Sequence, residues 1–264
     1  MTDRRRPALS AILVTRNEEK KISRCLDSLR WVDEIVVVDQ SSADRTVDIA
    51  RAYTDKVFVV AAKNYCEPDR PVALSKTAHE WALYLDADEC VPGDLRGEIE
   101  ELLRQGPRYG SYYIGRHNIF LGKWIKGSGW HPSYVLRLFR KGAVKFSTDI
   151  HTDVIPLGES GRLTNPIIHY ACEDLQGYVQ KLNRYTDVLA QQAYARGLRI
   201  TRGNLVVKLC VVPMAYFAHR FIVKKGFLDG FHGFIIGLLT FLTIFMMNAK
   251  VWEIERRNAQ KDHT

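Results

Sequence analysis

The stretch SAILVTRNEEKKISRCLDSLRWVDEIVVVDQSSADRTVDIA, residues 10–50, decides the fold, because two hydrophobic periods alternate within it. Leu9–Thr15 (LSAILVT) is a short apolar run ending in polar residues, which predicts a buried strand. Lys20–Leu29 sets Ile22, Cys25, Leu26 and Leu29 at helical spacing, the pattern of an amphipathic helix. Glu34–Asp39 (EIVVVD) is continuous and β-branched, as a central parallel strand covered on both faces has to be. Ser42 stands where it can cap a helix over Asp44–Tyr53, and Lys56–Val60 gives a third strand. Trp81–Leu85 (WALYL) is a fourth, running straight into Asp86-Ala87-Asp88. Strands separated by such helices connect as right-handed βαβ units, so the expected class is α/β, a Rossmann-like, mostly parallel central sheet flanked by helices.

Sheets of this kind receive ligands beyond the carboxyl ends of their strands. Three of the expected strand ends are polar: Thr15-Arg16-Asn17-Glu18, Asp39-Gln40-Ser41-Ser42 and Asp86-Ala87-Asp88-Glu89. None of these turns carries GxGxxG or GxxxxGK[ST], which argues against a dinucleotide dehydrogenase and a P-loop NTPase. Asp86 and Asp88 are the sharpest signal. Two carboxylates one residue apart at a strand mouth converge on one hard cation, Mg2+ or Mn2+, that also accepts diphosphate oxygens. A metal there neutralises the charge that builds on a leaving diphosphate. A DxD by itself equally describes a solvated turn; its position directly after WALYL favours the functional reading.

Composition narrows the class further. At 264 residues, with 46% hydrophobic and 26% charged side chains, the chain has enough apolar content for a full core and is neither disordered nor fibrous. Five cysteines without a CxxC pair argue against a disulfide framework or zinc ribbon and fit a reducing compartment. His117, His131 and His151 are spaced too loosely for a zinc site. No secretory signal pattern is read in the N-terminal residues, so the expected compartment is the cytosol. Residues 1–177 hold 25 basic and 25 acidic side chains, so the whole net charge of +8 belongs to residues 178–264. Basic residues beside a long apolar segment favour an anionic lipid surface, and nucleic acid would leave the carboxylate pair unexplained.

From about residue 106 Gly, Tyr, Trp and Arg rise, with strand-like runs at Ser111–Gly115 and Tyr134–Arg140, and Leu175–Arg196 reads as a helix. Tyr112, Tyr113, Trp124, Trp130 and Tyr134 divide between core packing and a surface on which a sugar stacks. The tail opens with Leu205–Val223, broken by Lys208, Pro213, His219 and Arg220, and continues with Phe227–Met247. Gly226, Gly230, Gly233 and Gly237 fall on one stripe of a helix, where a second helix, Leu205–Val223, can approach closely in lipid. Arg220, Lys224 and Lys225 flank one side and Lys250, Arg256 and Arg257 the other, which favours a monotopic anchor over a span.

Residues 10–50 followed by WALYLDADE resemble the family 2 glycosyltransferases of the GT-A fold, most closely the branch of lipopolysaccharide core β-1,4-glucosyltransferases. Asn118–Ile125 (NIFLGKWI), Gly129–Arg140 (GWHPSYVLRLFR), Gly226–Gly230 and Lys250–Glu253 are similar to segments of that branch, in its order. The resemblance implies a GT-A domain over 1–200, with a nucleotide-sugar half at 1–105 and an acceptor half at 106–200, and a basic, apolar membrane-associating tail at 201–264. It implies an inverting, metal-dependent transfer from a nucleotide-diphosphate sugar to a lipid-linked saccharide at the cytoplasmic face of the bacterial inner membrane. Thr15, Arg16 and Glu18 would line the nucleotide pocket, and Asp39 would bond the base or ribose. Asp88 would hold the metal, Asp86 the ribose or a metal-bound water, Arg70 the diphosphate, and His169 would stand as a third metal ligand or as a core histidine. Where the branch places a glutamate after LRLFR, this chain has Thr152, which leaves Asp153, then Asp149, as the candidate general base. Cys66–Ala73 and Gln40-Ser41 also depart from the family pattern.

Overall fold

The computed structural model describes residues 6–63, 66–146 and 154–261, with side chains described to 258. These form two compact units, one built from the chain up to 117 with 133–170, the other from 118–132 with 171 onward. In chain order the first half contributes β1 (Leu9–Thr15), α1 (Ile22–Asp27), β2 (Glu34–Asp39), α2 (Thr46–Arg51), β3 (Val57–Val59), α3 (Arg70–Ser75) and β4 (Trp81–Leu85). There follow β5 (Glu89–Cys90), α4 (Gly93–Gln105), β6 (Ser111–Phe120), β7 (Lys123–Trp124) and β8 (Tyr134–Arg140). Short strands β9 (Val144–Lys145), β10 (Ile155–Pro156) and β11 (Gly161–Arg162) lead to β12 (Ile167–Cys172).

In the first unit, β3, β2, β1 and β4 pair in parallel in that order, as the alternating pattern requires. Every residue of β1 is buried because both faces are covered. Leu9, Ala11 and Leu13 enter one core with α1 and α4, while Ile12 and Val14 enter a second with Val36, Val38 and Tyr84. The sheet continues antiparallel through β8 and β6, with a register shift at Tyr112/Tyr113, and β12 pairs antiparallel with β5.

The helices α1 and α2 are shorter than their hydrophobic patterns, and Ser42 caps neither. Asp44 receives the Thr46 N–H at 3.0 Å, whereas Ser42 lies too far ahead of α2 and gives its hydroxyl to the buried Asp39 carboxylate. A charged acceptor outcompetes a backbone donor for that hydroxyl.

In the second unit α5 (Leu175–Ala195) lies within one residue of expectation, capped by Asp174, whose carboxylate accepts the Gly177 N–H at 2.6 Å. Next comes a helical run in which α6 (Val212–Ala218) is flanked by π-turns at Val207–Val211 and His219–Val223. Pro213 explains the first of these, since its ring collides with the carbonyl four residues back unless the turn widens. A 3-10 turn, Gly226–Asp229, leads into α7 (Phe231–Lys261). α7 packs on α5 through Lys250, whose ammonium bonds the Asn183 carbonyl at 2.7 Å and Thr186 Oγ1 at 2.8 Å and pairs with Asp187 at 2.6 Å. Lys250 therefore joins helices and is no basic flank of an anchor.

The glycine stripe is corrected in the same way. Gly226 and Gly230 belong to the turn, Gly230 with φ +63°, and only Gly233 and Gly237 lie on α7. A Cβ on Gly233 would stand 1.8 Å from the Gly226 carbonyl oxygen, and one on Gly237 would stand 3.0 Å from the Phe217 ring of α6. The close approach is real, but half of it is turn against helix.

Candidate active site

The site is assembled at the carboxyl ends of β1, β2 and β4 in the first unit. After β1 the chain turns through Asn17 in the left-handed region (φ 55°). Its side-chain oxygen accepts the Ala43 N–H at 2.8 Å, while its own N–H donates to Ser42 Oγ at 2.8 Å. The Glu18 N–H donates to Thr46 Oγ1 at 2.8 Å, so the loops after β1 and β2 are stapled together. Asp39 is the centre of the staple. It is fully buried, accepts the Thr15 hydroxyl at 3.1 Å and the Ser42 N–H at 2.7 Å, and takes the Ser42 hydroxyl as well.

Arg16 reaches from the same loop to the Lys63 carbonyl at 2.6 Å, and Glu18 pairs with Lys21 at 3.5 Å. Lys63 in turn pairs with the buried Asp69, whose second oxygen accepts Gln40 Nε2 at 2.6 Å. Gln40, noted in the sequence as a departure from the family pattern, thus has a tertiary partner in Asp69, which the sequence pattern did not single out.

A second cluster surrounds the end of β4. The Tyr84 hydroxyl accepts from Arg70 Nε at 2.9 Å and donates to Asp86. Asp86 also accepts from Arg137 of β8, whose guanidinium bonds Glu89 at 2.8 Å and lies 4.4 Å from the Tyr84 ring centroid. Glu89 is wholly buried and its carboxylate also accepts the Asp86 N–H at 3.1 Å. Burial pushes the Asp86 carboxyl up, but Arg137 and Arg70, aided by the Tyr84 hydroxyl, hold it below the usual carboxylate range. Burial works against the charge on Arg137 too, yet Asp86 and Glu89 raise the guanidinium well above its ordinary value. Arg137 and Glu89 were not among the expected site residues. Their signal was available: an arginine inside the apolar strand YVLRLFR needs a buried counter-ion.

Asp88 and His169 form the third element. The β5–β12 ladder sets His169 opposite Glu89, and the Tyr170 N–H donates to the Asp88 carbonyl at 2.8 Å. This register brings His169 Nε2 within 3.6 Å of Asp88 Oδ1. Among the described residues no three His, Cys, Asp or Glu side chains are grouped closely enough to enclose a metal. The Asp88–His169 pair nevertheless suits one as an open site, because an oxygen and an imidazole nitrogen at that spacing can share a divalent cation with diphosphate oxygens and water.

Burial, with Asp86 nearby, pushes the Cys66 thiol up to about 12, and burial likewise raises Cys25. Asp149 and Asp153, with Thr152 and His151 between them, lie outside the described residues.

A mostly parallel sheet whose strand ends gather a carboxylate staple, an Arg–Asp–Glu network and an Asp–His pair has the architecture of the GT-A fold. The sequence model of Glycosyl transferase family 2 matches residues 10–155, and the chain belongs to that family. Over 259 residues the chain is 27% identical to the lipopolysaccharide core biosynthesis glycosyltransferase LpsC of Rhizobium meliloti, covering 93% of this chain and 92% of that protein. It is 27% identical over 264 residues to an uncharacterized glycosyltransferase of Rickettsia typhi, covering 95% and 88%. Among solved structures, the mannosyltransferase PcManGT of Pyrobaculum calidifontis, in complex with GDP-Man and Mn2+, superposes with a TM-score of 0.50 at 16% identity, covering 93% of this chain and 87% of that one. That likeness establishes the fold.

Proposed function

We propose that this glycosyltransferase is an inverting, metal-dependent enzyme that moves a sugar from a nucleotide-diphosphate donor to a lipid-linked saccharide, the lipopolysaccharide core, at the cytoplasmic face of the bacterial inner membrane. The observation that carries the reading is the placement of Asp39, Asp86 and the Asp88–His169 pair at the carboxyl ends of the parallel strands β2 and β4, on either side of β1. The similarity to LpsC, a lipopolysaccharide core biosynthesis glycosyltransferase, supports the choice of acceptor.

In this reading Thr15, Arg16 and Glu18 line the nucleotide pocket, and Asp39 serves its base or ribose end by holding the two loops together. Asp88 and His169 hold Mg2+ or Mn2+, which supplies Lewis-acid stabilisation of the departing diphosphate. Arg70 adds positive charge toward that diphosphate. Asp86 faces the ribose or a metal-bound water, its carboxylate kept ionised and oriented by Arg137 and Tyr84. Asp153, or failing it Asp149, takes the proton from the acceptor hydroxyl as that oxygen attacks the anomeric carbon opposite the leaving group.

Residues 1–200 carry the transfer and 201–264 associate with the membrane. α7 supports the second half of that division, since Phe231–Asn258 is long and apolar enough to cross a bilayer while only 28% of its most apolar window is buried within the chain. The test is transfer of labelled sugar from UDP- and GDP-linked donors to truncated lipopolysaccharide and to a polyprenyl-diphosphate oligosaccharide. Labelling of the lipopolysaccharide alone is expected. Labelling of only the polyprenyl acceptor would replace the proposed acceptor, and labelling of neither would favour a transferase-like scaffold.

A further inference from the structure

The turn between α6 and α7 combines two surfaces that are rarely found together on an ordinary water-exposed loop. Phe227, Leu228 and Phe231 are 50%, 68% and 73% exposed, three large apolar side chains within five residues. Lys224 and Lys225 precede them and stand exposed. Asp229, the one acid of this turn, points the other way. It is 3% exposed and accepts the Lys126 N–H at 3.1 Å and the Gly127 N–H at 2.6 Å. Lys123 Nζ also bonds the Asp229 carbonyl at 2.9 Å.

The buried carboxylate thus draws a distant loop of the same unit to the turn, and that loop brings two more exposed lysines, Lys123 and Lys126. Lys126 lies 4.4 Å from the Trp124 ring centroid. Gly127 is required there, because a Cβ would stand 2.4 Å from the Lys225 carbonyl oxygen. Within 118–132 and 205–250 there is no acid besides Asp229. The edge therefore presents cations and hydrocarbon with its single negative charge turned inward.

We infer that this edge, Lys123, Lys126, Lys224 and Lys225 around Phe227, Leu228 and Phe231, is a docking surface for anionic phospholipid. The ammonium groups meet headgroup phosphates, and the apolar side chains enter the acyl boundary below them. The inference rests on the membrane association proposed above and sharpens it, since it assigns lipid-charge selectivity to one turn and leaves general apolar adhesion to α7. Charge complementarity selects a bilayer over a soluble phosphate: a lone phosphate gains nothing from three exposed apolar side chains beside it.

Flotation of the full chain with vesicles of phosphatidylcholine, alone or mixed with phosphatidylglycerol, tests this at low and high salt. Wild type is expected to prefer the anionic vesicles, with the preference collapsing at high salt. The double variant Lys224→Glu, Lys225→Glu should lose the preference by about tenfold or more, at several-fold per lysine, and keep its binding to neutral vesicles. Phe227→Ser with Leu228→Ser should weaken binding to both. Arg51→Glu with Lys145→Glu, a charge change of the same size at exposed positions of the first unit, should leave the preference standing. Equal binding of wild type to both vesicle types, or an undiminished preference in the Lys224/Lys225 variant, would overturn the docking edge while membrane association survives. Binding of wild type to neither would overturn both. Competition by inorganic phosphate as strong as that by an equal charge of sodium chloride or weaker is expected; stronger competition would assign the lysines to a phosphate site instead and overturn the proposal.

Discussion

In the first unit Asp39, Asp69, Arg70, Asp88, Glu89 and Arg137 are all more than nine-tenths buried. In the second unit Asp229 is the only described charged side chain so deeply enclosed, and the departure runs the other way: thirteen of the twenty exposed large apolar side chains among the described residues lie between Val206 and Trp252. Each pattern is costly in plain water. Burying an ion costs several kcal/mol unless its partners are already in place, and exposing a contiguous apolar surface invites association. The difference shows what each unit is built against. On the proposed function, the first holds its carboxylates and guanidiniums preorganised for a metal-bound diphosphate, so their orientation need not be created during reaction. On the same reading, the second presents hydrocarbon to the apolar interior of a bilayer.

Removing Arg137 strikes this contrast hardest. Arg137→Ala takes from the buried Glu89 its nearer guanidinium, leaving Arg116 at 3.5 Å, and should destabilise the protein by about 3 kcal/mol, read by denaturant unfolding. A loss under about 1 kcal/mol would mean that the network is not what holds the buried carboxylates. Asp88→Asn comes next. It keeps the volume and should leave unfolding near wild type while weakening Mn2+-dependent donor binding on the order of a hundredfold. An unchanged affinity would remove Asp88 from the metal site. Asp229→Ala probes the second unit in the same terms. Two backbone N–H groups lose their acceptor, so a cost of about 1–3 kcal/mol is expected, with donor binding untouched.

The smallest effect is the acid response of Glu34. Burial raises its carboxyl, but Lys56, the Ser10 hydroxyl and the Ala78 N–H together hold it below the ordinary range. A carboxylate with a lowered folded-state value contributes its full stability above the unfolded value, about pH 4, and loses it as pH falls through the folded value. Glu34→Gln should therefore flatten the acidic limb of the melting temperature against pH and change the slope near neutrality little. An identical acid limb in the variant would contradict the assignment.

The strands and the edge on which the site sits were legible, because β1, β2 and β4 are continuous apolar runs whose polar exits mark the carboxyl ends. Asp86 and Asp88 could be named for the same reason. What surrounds them was legible only in part: an arginine inside YVLRLFR announces a buried counter-ion, but which one depends on contacts far apart in sequence, since Arg137 reaches Asp86 and Glu89 across 51 and 48 residues. Ser42 was misread for a related reason, since capping propensity is local and the demand of the buried Asp39 is tertiary. In the tail the apolar period gave α7 its existence but not its start. Gly230, with its positive φ, holds the turn open until Phe231, and an i, i+4 spacing cannot tell a helical glycine from a turn glycine.

On the proposed function, Asp39, Asp86 and the Asp88–His169 pair form a metal-assisted donor site. Calorimetric titration of UDP, GDP and TDP into the purified protein, with Mn2+ and then with EDTA, tests it most directly when repeated on Asp88→Ala. One diphosphate is expected to bind with Mn2+, EDTA to weaken it sharply, and the variant to bind alike with and without metal. Binding indifferent to both metal and Asp88, or binding of none of the three by a folded wild-type protein, would contradict it.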